Sequence, residues 1–339
     1  MLWYLPLEPL EGRYTVLMDR QLARSFTRRK VSYRYVCPEP LTSTIETGAF
    51  LDANGTIHYK ASQIRMMAEY FRDGRVSDGD HFFISDLWFP GIEALKYMAY
   101  FAGLTIHVWG IIHAGSYTDT DYVRGMSEWA QHSERGWLRL ASGVFVGSRF
   151  HKDDLISKGR CDASKIHATG LVYDTEDVLK MTEAYDGDMS SKKDRVVFAG
   201  RVCDEKQPWV FDAMAERFAG EDVEFVKTAD LNLSKEHYFD LLWGSKAIFS
   251  AALQENFGYS VLEATTLGCR PVVPDRLAYR DIYPEECRYN SLDQAESMIR
   301  QALDGHRDFS HIPVQFNASV DRMLDHIRTH RAINMTPTR

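Results

Sequence analysis

Two glutamates eight positions apart, Glu255 and Glu263, carry the clearest chemistry in the chain. They bound the stretch Glu255-Asn256-Phe257-Gly258-Tyr259-Ser260-Val261-Leu262-Glu263. The first lies at a glycine-containing turn, and the second lies on the helix predicted to follow. That path brings both carboxylates to one end of the helix, where they can accept hydrogen bonds from several hydroxyls at once. The helix start between them is a seat for an anion, because its first N–H groups lack intrahelical partners. Hydroxyl acceptors flanking an anion seat suit a ligand that joins sugar hydroxyls to phosphate.

Glutamate is common, so the spacing gains meaning only from the elements around it. Upstream, Lys246-Ala247-Ile248-Phe249-Ser250-Ala251-Ala252 reads as a short buried strand. Downstream, Gly268 reads as a helix C-cap and Arg270 to Pro274 as another buried strand. The pair therefore sits at the C-terminal end of a strand in a strand–loop–helix–strand unit, where open parallel sheets bind ligands. A second constellation precedes it. Val196-Val197-Phe198 is a strand running into Ala199-Gly200-Arg201, and Glu205-Lys206 follows. Arg201 can fork onto phosphate oxygens, and Lys206 supplies a mobile point charge.

Taken in order, the two motifs resemble those in the C-terminal half of a GT-B glycosyltransferase of the retaining family 4 type. The resemblance implies an α/β chain of two Rossmann-like domains facing across a cleft. Gly200, Arg201 and Lys206 would then hold the donor diphosphate, over a helix start made by Asn256, Phe257, Gly258 and Tyr259. Glu263 would take the ribose hydroxyls and Glu255 the sugar hydroxyls. A UDP- or GDP-sugar would be a substrate, with no cofactor and no metal. His113, just past the predicted strand Thr105 to Trp109, matches a family histidine that lines the sugar pocket, and His107 within that strand is the alternative. Asp119-Thr120-Asp121 has the D-x-D form used by metal-dependent GT-A enzymes, but it reads here as a polar loop. One departure concerns the loop after the first strand. Many family members carry two glycines there, whereas Glu8 to Thr15 holds Gly12 alone. Gly12, Arg13 and Tyr14 become acceptor-side candidates, together with Asp86 at another strand tip, a residue that also suits a capping role.

The chain has 339 residues, with 45% hydrophobic and 26% charged, as expected of two full-sized globular domains. Alternation of strands and helices through the first half implies a parallel sheet. The expected strands are Leu2 to Leu5, Ser32 to Val36, His81 to Ile84, Thr105 to Trp109 and Gly143 to Val146. The expected helices are Gln63 to Phe71, Gly91 to Phe101 and Met126 to Leu140, and Ser148 is placed to cap the next. The expected division is residues 1–172, a polar linker 173–194, residues 195–317, and a C-terminal helix in 318–339 placed to pack back on the N-terminal domain.

Five cysteines, an odd number without a C-x-x-C pair, argue against a disulfide framework or a zinc site and fit a reducing cytoplasm. The apolar start Met1 to Leu7 lacks a basic leader and reads as a strand, and no apolar run approaches a membrane span. A net charge of −8 gives no global attraction for nucleic acid. A local exception runs from Arg20 through Arg24, Arg28, Arg29 and Lys30 to Arg34, interleaved with Phe26, Tyr33 and Tyr35. Such a cluster suits DNA or another nucleic acid, an anionic membrane surface, or a solvated helix face.

The region from Leu262 to Pro284 is similar to transferases that mannosylate queuosine in tRNA. Leu5-Pro6-Leu7-Glu8-Pro9-Leu10-Glu11 resembles phage-encoded glycosyltransferases, some of which decorate modified DNA bases. With the basic cluster, these resemblances imply a hydroxyl-bearing nucleic-acid base as acceptor, foremost a hydroxymethylated or otherwise modified base in phage DNA. A saccharide, a lipid carrier or queuosine in tRNA, and a sugar-nucleotide-binding module without turnover, are the alternatives.

Overall fold

The computed structural model describes residues 1–10, 14–41, 52–183, 191–305 and 307–334. The chain divides into two compact units, Met1–Tyr173 with Ala318–Arg339, and Asp174–Asn317.

In the first unit the described strands are β1 (Leu2–Leu5), β2 (Tyr33–Tyr35), β3 (His81–Ile84), β4 (His107–Ile111), β5 (Gly143–Val146) and β6 (Ile166–Ala168). They form one parallel sheet in the order β2-β1-β3-β4-β5-β6. β1, β3 and β5 are buried on both faces, which is why they read as continuous apolar runs rather than alternating ones. Trp3, Phe82, Ile84, Val108 and Val144 are buried in one core layer. Burying such a large apolar side chain contributes about 1.5–3 kcal/mol.

Gly110 in β4 marks a close approach. A Cβ there would lie 2.3 Å from the Ile84 carbonyl oxygen and 2.8 Å from the Leu87 side chain. The carbonyl belongs to the neighbouring strand and cannot swing aside. Gly110→Ala is expected to cost about 1–3 kcal/mol or more, as overpacking does. A thermal melt should fall by about 2–4 °C per kcal/mol, and an unchanged melt would contradict the packing described.

Three elements of the first unit depart from the sequence reading by two residues or more. A helix occupies Tyr14–Arg28, buries Val16, Met18, Leu22 and Phe26, and so absorbs the end of the expected Glu8 to Thr15 loop. The helix expected at Gln63 begins at Ala53, where the Asp52 carboxylate caps the Asn54 N–H at 3.1 Å. β4 runs two residues later than Thr105 to Trp109, because Ile111 continues the buried run.

The C-terminal helix Ser319–Asn334 belongs to the first unit. Val320, Met323, Leu324 and Ile327 are its buried side chains. Arg28 donates to both carboxylate oxygens of Asp321 at 3.1 Å, Arg29 pairs with Asp325, and Arg322 donates to the Thr169 carbonyl at 2.6 Å. Two cations of the Arg20 to Arg34 cluster are thus neutralised by acids of this helix, and Arg34 lies over the Trp3 ring.

The second unit holds β7 (Lys193–Phe198), β8 (Glu224–Lys227), β9 (Ser245–Phe249), β10 (Arg270–Pro274) and β11 (Arg288–Tyr289). They form a parallel sheet in the order β11-β10-β9-β7-β8. β7 starts before the expected Val196, and the Lys192 ammonium just ahead of it is buried. That ammonium donates to the carbonyls of Trp243, Ser245 (3.0 Å) and Leu267 (2.8 Å), satisfying carbonyls at two helix ends. Residues read as polar linker are therefore partly core, because a lysine with three acceptors is tolerated inside. Among the described residues no helix is long and apolar enough to cross a membrane.

Candidate functional site

Strand order locates the ligand crevice of the second unit. β7 is the first strand, and the chain places β8 on one side of it and β9 on the other. The loops leaving β7 and β9 therefore diverge at a topological switch point, where open α/β sheets leave room for a ligand. Those loops are Ala199-Gly200-Arg201 and Gln254 to Gly258, the two constellations singled out in the sequence.

Lys206 joins them. Its ammonium donates to the Glu255 carboxylate at 3.1 Å and to the Gln254 carbonyl at 2.7 Å. The Arg201 guanidinium donates to Glu205 at 2.5 Å, and Glu205 is buried. Arg201 keeps 39% of its side chain exposed, so it can turn to an incoming anion without leaving a buried cavity behind. Gly200, Lys206, Glu255 and Ser260 line one cavity of about 20 Å³, with Phe198, Phe249 and Tyr279 among its walls.

The helix Tyr259–Thr266 starts at this cavity. Gly258 precedes it with φ +82°, a left-handed conformation that favours glycine. A Cβ there would sit 3.3 Å from the Tyr279 ring and 3.4 Å from Glu255 Cγ. The other Glu255 oxygen accepts the Phe257 N–H at 3.3 Å, which fixes the carboxylate at the turn. Asn256 accepts from the Gln254 amide at 2.9 Å. Phe257 is buried against Phe316 and Tyr259, so it anchors the turn.

Glu263 lies one helical turn after Tyr259 and does not line that cavity. Its carboxylate accepts a hydrogen bond from the Tyr238 hydroxyl at 3.0 Å. Burial raises its pKa to about 7, against the lowering effects of the Tyr238 bond and of Lys235.

The remaining candidates belong to the first unit. His113 follows β4 and shares a hydrogen bond with the Ser85 carbonyl through Nε2 at 3.0 Å. Burial lowers its pKa, more than the Asp86 charge and the Ser85 carbonyl raise it, so the imidazole is neutral at pH 7. Tyr14 places its ring centroid 6.0 Å from that of His113. Asp86 accepts the Trp88 N–H at 3.1 Å and pairs with the buried Lys60 ammonium at 3.2 Å, which gives it a turn-forming role. His107, the alternative to His113, sits at the start of β4 and meets His330 of the C-terminal helix at 3.2 Å. Gly12 and Arg13 lie outside the described residues.

Asp119 pairs with Arg124 and Lys158 at 3.7 Å, and Asp121 caps the Val123 N–H at 3.0 Å. The D-x-D triplet thus serves its own loop. Ser148 caps the following helix by accepting the His151 N–H at 3.2 Å.

Three supporting residues were not singled out in the sequence. Glu134, almost fully buried, accepts from the Ser116 N–H (2.6 Å), the Ser116 hydroxyl (2.7 Å) and the Trp88 indole (3.0 Å). It fixes the loop that carries His113. Arg276 donates to the carbonyls of Ala251 and Ala252 at 2.9 and 3.0 Å and so braces the loop after β9. Tyr238 meets Glu263 from a separate helix, Lys235–Trp243. None of these follows a spacing rule along the chain.

Two parallel sheets flanked by helices match the GT-B fold of glycosyltransferases. The structure is similar to sucrose-phosphate synthase from Thermosynechococcus elongatus, with a TM-score of 0.61 at 11% identity, covering 98% of this chain and 96% of that one. It is similar also to the catalytic domain of starch synthase IV from Arabidopsis thaliana bound to ADP and acarbose, with a TM-score of 0.60 at 10% identity, covering 96% and 99%. At such identities the likeness establishes the fold alone. In sequence, the chain is 33% identical over 100 residues to a tRNA-queuosine alpha-mannosyltransferase of Drosophila melanogaster. That match covers 29% of this chain and 25% of the fly protein. No family model matches the chain.

Proposed function

We propose that the chain is a retaining glycosyltransferase that moves a sugar from a UDP- or GDP-sugar to a hydroxyl-bearing base in nucleic acid. The observation that carries this reading is the Lys206 bridge, which brings the Gly200-Arg201 loop and the Glu255 turn into one site at the switch point. Charge on the leaving diphosphate grows as the sugar C1–O bond breaks, and preorganised cations there lower the barrier most. Arg201 and Lys206 supply the cations, and the N–H groups at the start of the helix Tyr259–Thr266 supply dipoles. Glu255 takes the sugar hydroxyls and Glu263 the ribose hydroxyls. The acceptor oxygen bonds C1 on the face the diphosphate leaves, and its proton departs with the diphosphate. His113, neutral at pH 7, is assigned to the donor sugar as a hydrogen-bonding group, with Tyr14, Gly12 and Arg13 on the acceptor side.

The match to the fly tRNA-queuosine mannosyltransferase favours tRNA among the acceptors. A hydroxymethylated base in phage DNA is the second acceptor, supported by the Leu5 to Glu11 resemblance and the basic cluster. Pairing of Arg28 and Arg29 with Asp321 and Asp325 leaves that cluster less cationic than its sequence. The reaction is assigned no metal, since the diphosphate is met by Arg201 and Lys206 and the D-x-D acids serve their own loop.

The test is transfer from a panel of UDP- and GDP-sugars to tRNA, hydroxymethylated DNA, plain DNA and simple saccharides, with and without EDTA. Product nucleosides are weighed by mass spectrometry. A hexose- or pentose-sized gain on a tRNA or modified DNA base, unaffected by EDTA, is expected. Transfer to saccharides alone would overturn the acceptor, loss of transfer in EDTA would overturn metal independence, and nucleotide binding without transfer to any acceptor would make the chain a binding module.

A further inference from the structure

Glu263, one helical turn from the cavity lined by Lys206 and Glu255, is held by a second helix. Its Oε2 accepts the Tyr238 hydroxyl at 3.0 Å, and Tyr238 comes from the helix Lys235–Trp243, packed beside the helix Tyr259–Thr266. Lys235, at the first turn of the same helix, acts on Glu263 as the nearby positive charge. We propose that Tyr238 is a positioning residue that aims the Glu263 carboxylate at the ribose hydroxyls of the donor nucleotide.

A carboxyl binds hydroxyls differently in its two protonation states. Ionised, it only accepts, and two ribose hydroxyls can donate to it together. Protonated, it must donate one hydrogen itself and competes with those hydroxyls. Burial favours the protonated form and brings the group to about 7, while the Tyr238 hydrogen bond and Lys235 favour the ionised form. A phenol donating to a carboxylate fixes one oxygen and leaves the second to a ligand.

The sign follows. Ribose binding selects the ionised carboxylate, so affinity rises with pH up to about 7 and is level above it. Each pH unit below that value lowers the ionised fraction about tenfold. Removing the Tyr238 hydroxyl should move the step upward, by about one pH unit, the scale of a hydrogen bond to a charged group.

The inference rests on the donor-site reading above, and one calorimetric series separates the two. UDP, GDP and ADP are titrated into the full chain between pH 5.5 and 8.5, on an axis of roughly half-unit steps around the neutral step. The tightest of them is compared with its 2′,3′-dideoxy analogue, which carries the same phosphates and so cancels their own titration. Wild-type protein should weaken by up to about tenfold from pH 8 to pH 6 for the ribose form and show no such step for the dideoxy form. Tyr238→Phe should shift the step upward while affinity at pH 8.5 stays near wild type. Glu263→Gln, which keeps the shape and cannot titrate, should abolish the step and serves as a second variant. A step unmoved by Tyr238→Phe, or one retained by the dideoxy nucleotide, would overturn the inference while leaving the donor site standing. Absence of binding by all three nucleotides would overturn the donor site and the inference with it.

Discussion

Replacing Lys206 by alanine is expected to lower the rate of sugar transfer by about two to three orders of magnitude, the usual cost of removing one preorganised electrostatic group from a site. Two effects combine. The diphosphate loses a cation placed at the switch point between β7 and β9. Glu255 also loses its 3.1 Å partner, and the Gln254 carbonyl loses a 2.7 Å donor, so the turn before the helix Tyr259–Thr266 is freed from the loop after β7. Arg201 does not take over the Lys206 contacts, because its guanidinium donates to Glu205, whereas Lys206 meets Gln254 and Glu255. Lys206→Arg should recover only part of the rate, since a planar guanidinium does not present its donors as the compact ammonium does. The check is initial-rate kinetics of nucleoside diphosphate release, with a thermal melt to show that the fold persists. A variant within a factor of a few of wild type would place the diphosphate elsewhere.

Glu255→Gln is expected to separate binding from transfer. The amide oxygen of glutamine can still accept the Phe257 N–H, so the turn keeps its shape. What is lost is the charge that balances Lys206 and, in the proposed reaction, meets the sugar hydroxyls. Loss of a hydrogen bond to a charged group costs about 1.5–3 kcal/mol, roughly a ten- to hundredfold fall in kcat/KM. Affinity for the bare nucleoside diphosphate should hold or rise, because Lys206 is then released toward the phosphates. Parallel calorimetry and turnover assays read the two effects. Equal loss of both would make Glu255 a fold residue only, and no loss of transfer would remove it from the sugar site.

Much of this was written in the sequence because parallel-sheet units are local. A buried apolar run, a glycine turn and an amphipathic helix follow one another within about thirty residues. The Gly200-Arg201 and Glu255–Glu263 stretches could therefore be placed at strand ends from their neighbours alone, and the structure puts them there. The helix Tyr14–Arg28 was harder, since its arginines and the preceding Gly12 masked the buried spacing of Met18, Leu22 and Phe26. Lys192 reads as solvent-facing by type and is buried because three carbonyls meet it there. Tyr238, Arg276 and Glu134 were illegible for another reason: each acts across 18 or more positions of sequence on a partner that only the fold brings near. The basic cluster was legible as charge, but its partners Asp321 and Asp325 come from the other end of the chain.

The most direct test of the account is nucleoside diphosphate release from UDP- and GDP-sugars, in the presence of tRNA, by wild-type protein and by a Lys206→Ala/Glu255→Gln double variant. The account predicts release by the wild type and a fall of about two orders of magnitude or more in the double variant. Both variants act on one site, so the losses should be less than additive. Release that is equal in the two proteins would contradict the account, since the chemistry would then lie away from the loops that leave β7 and β9.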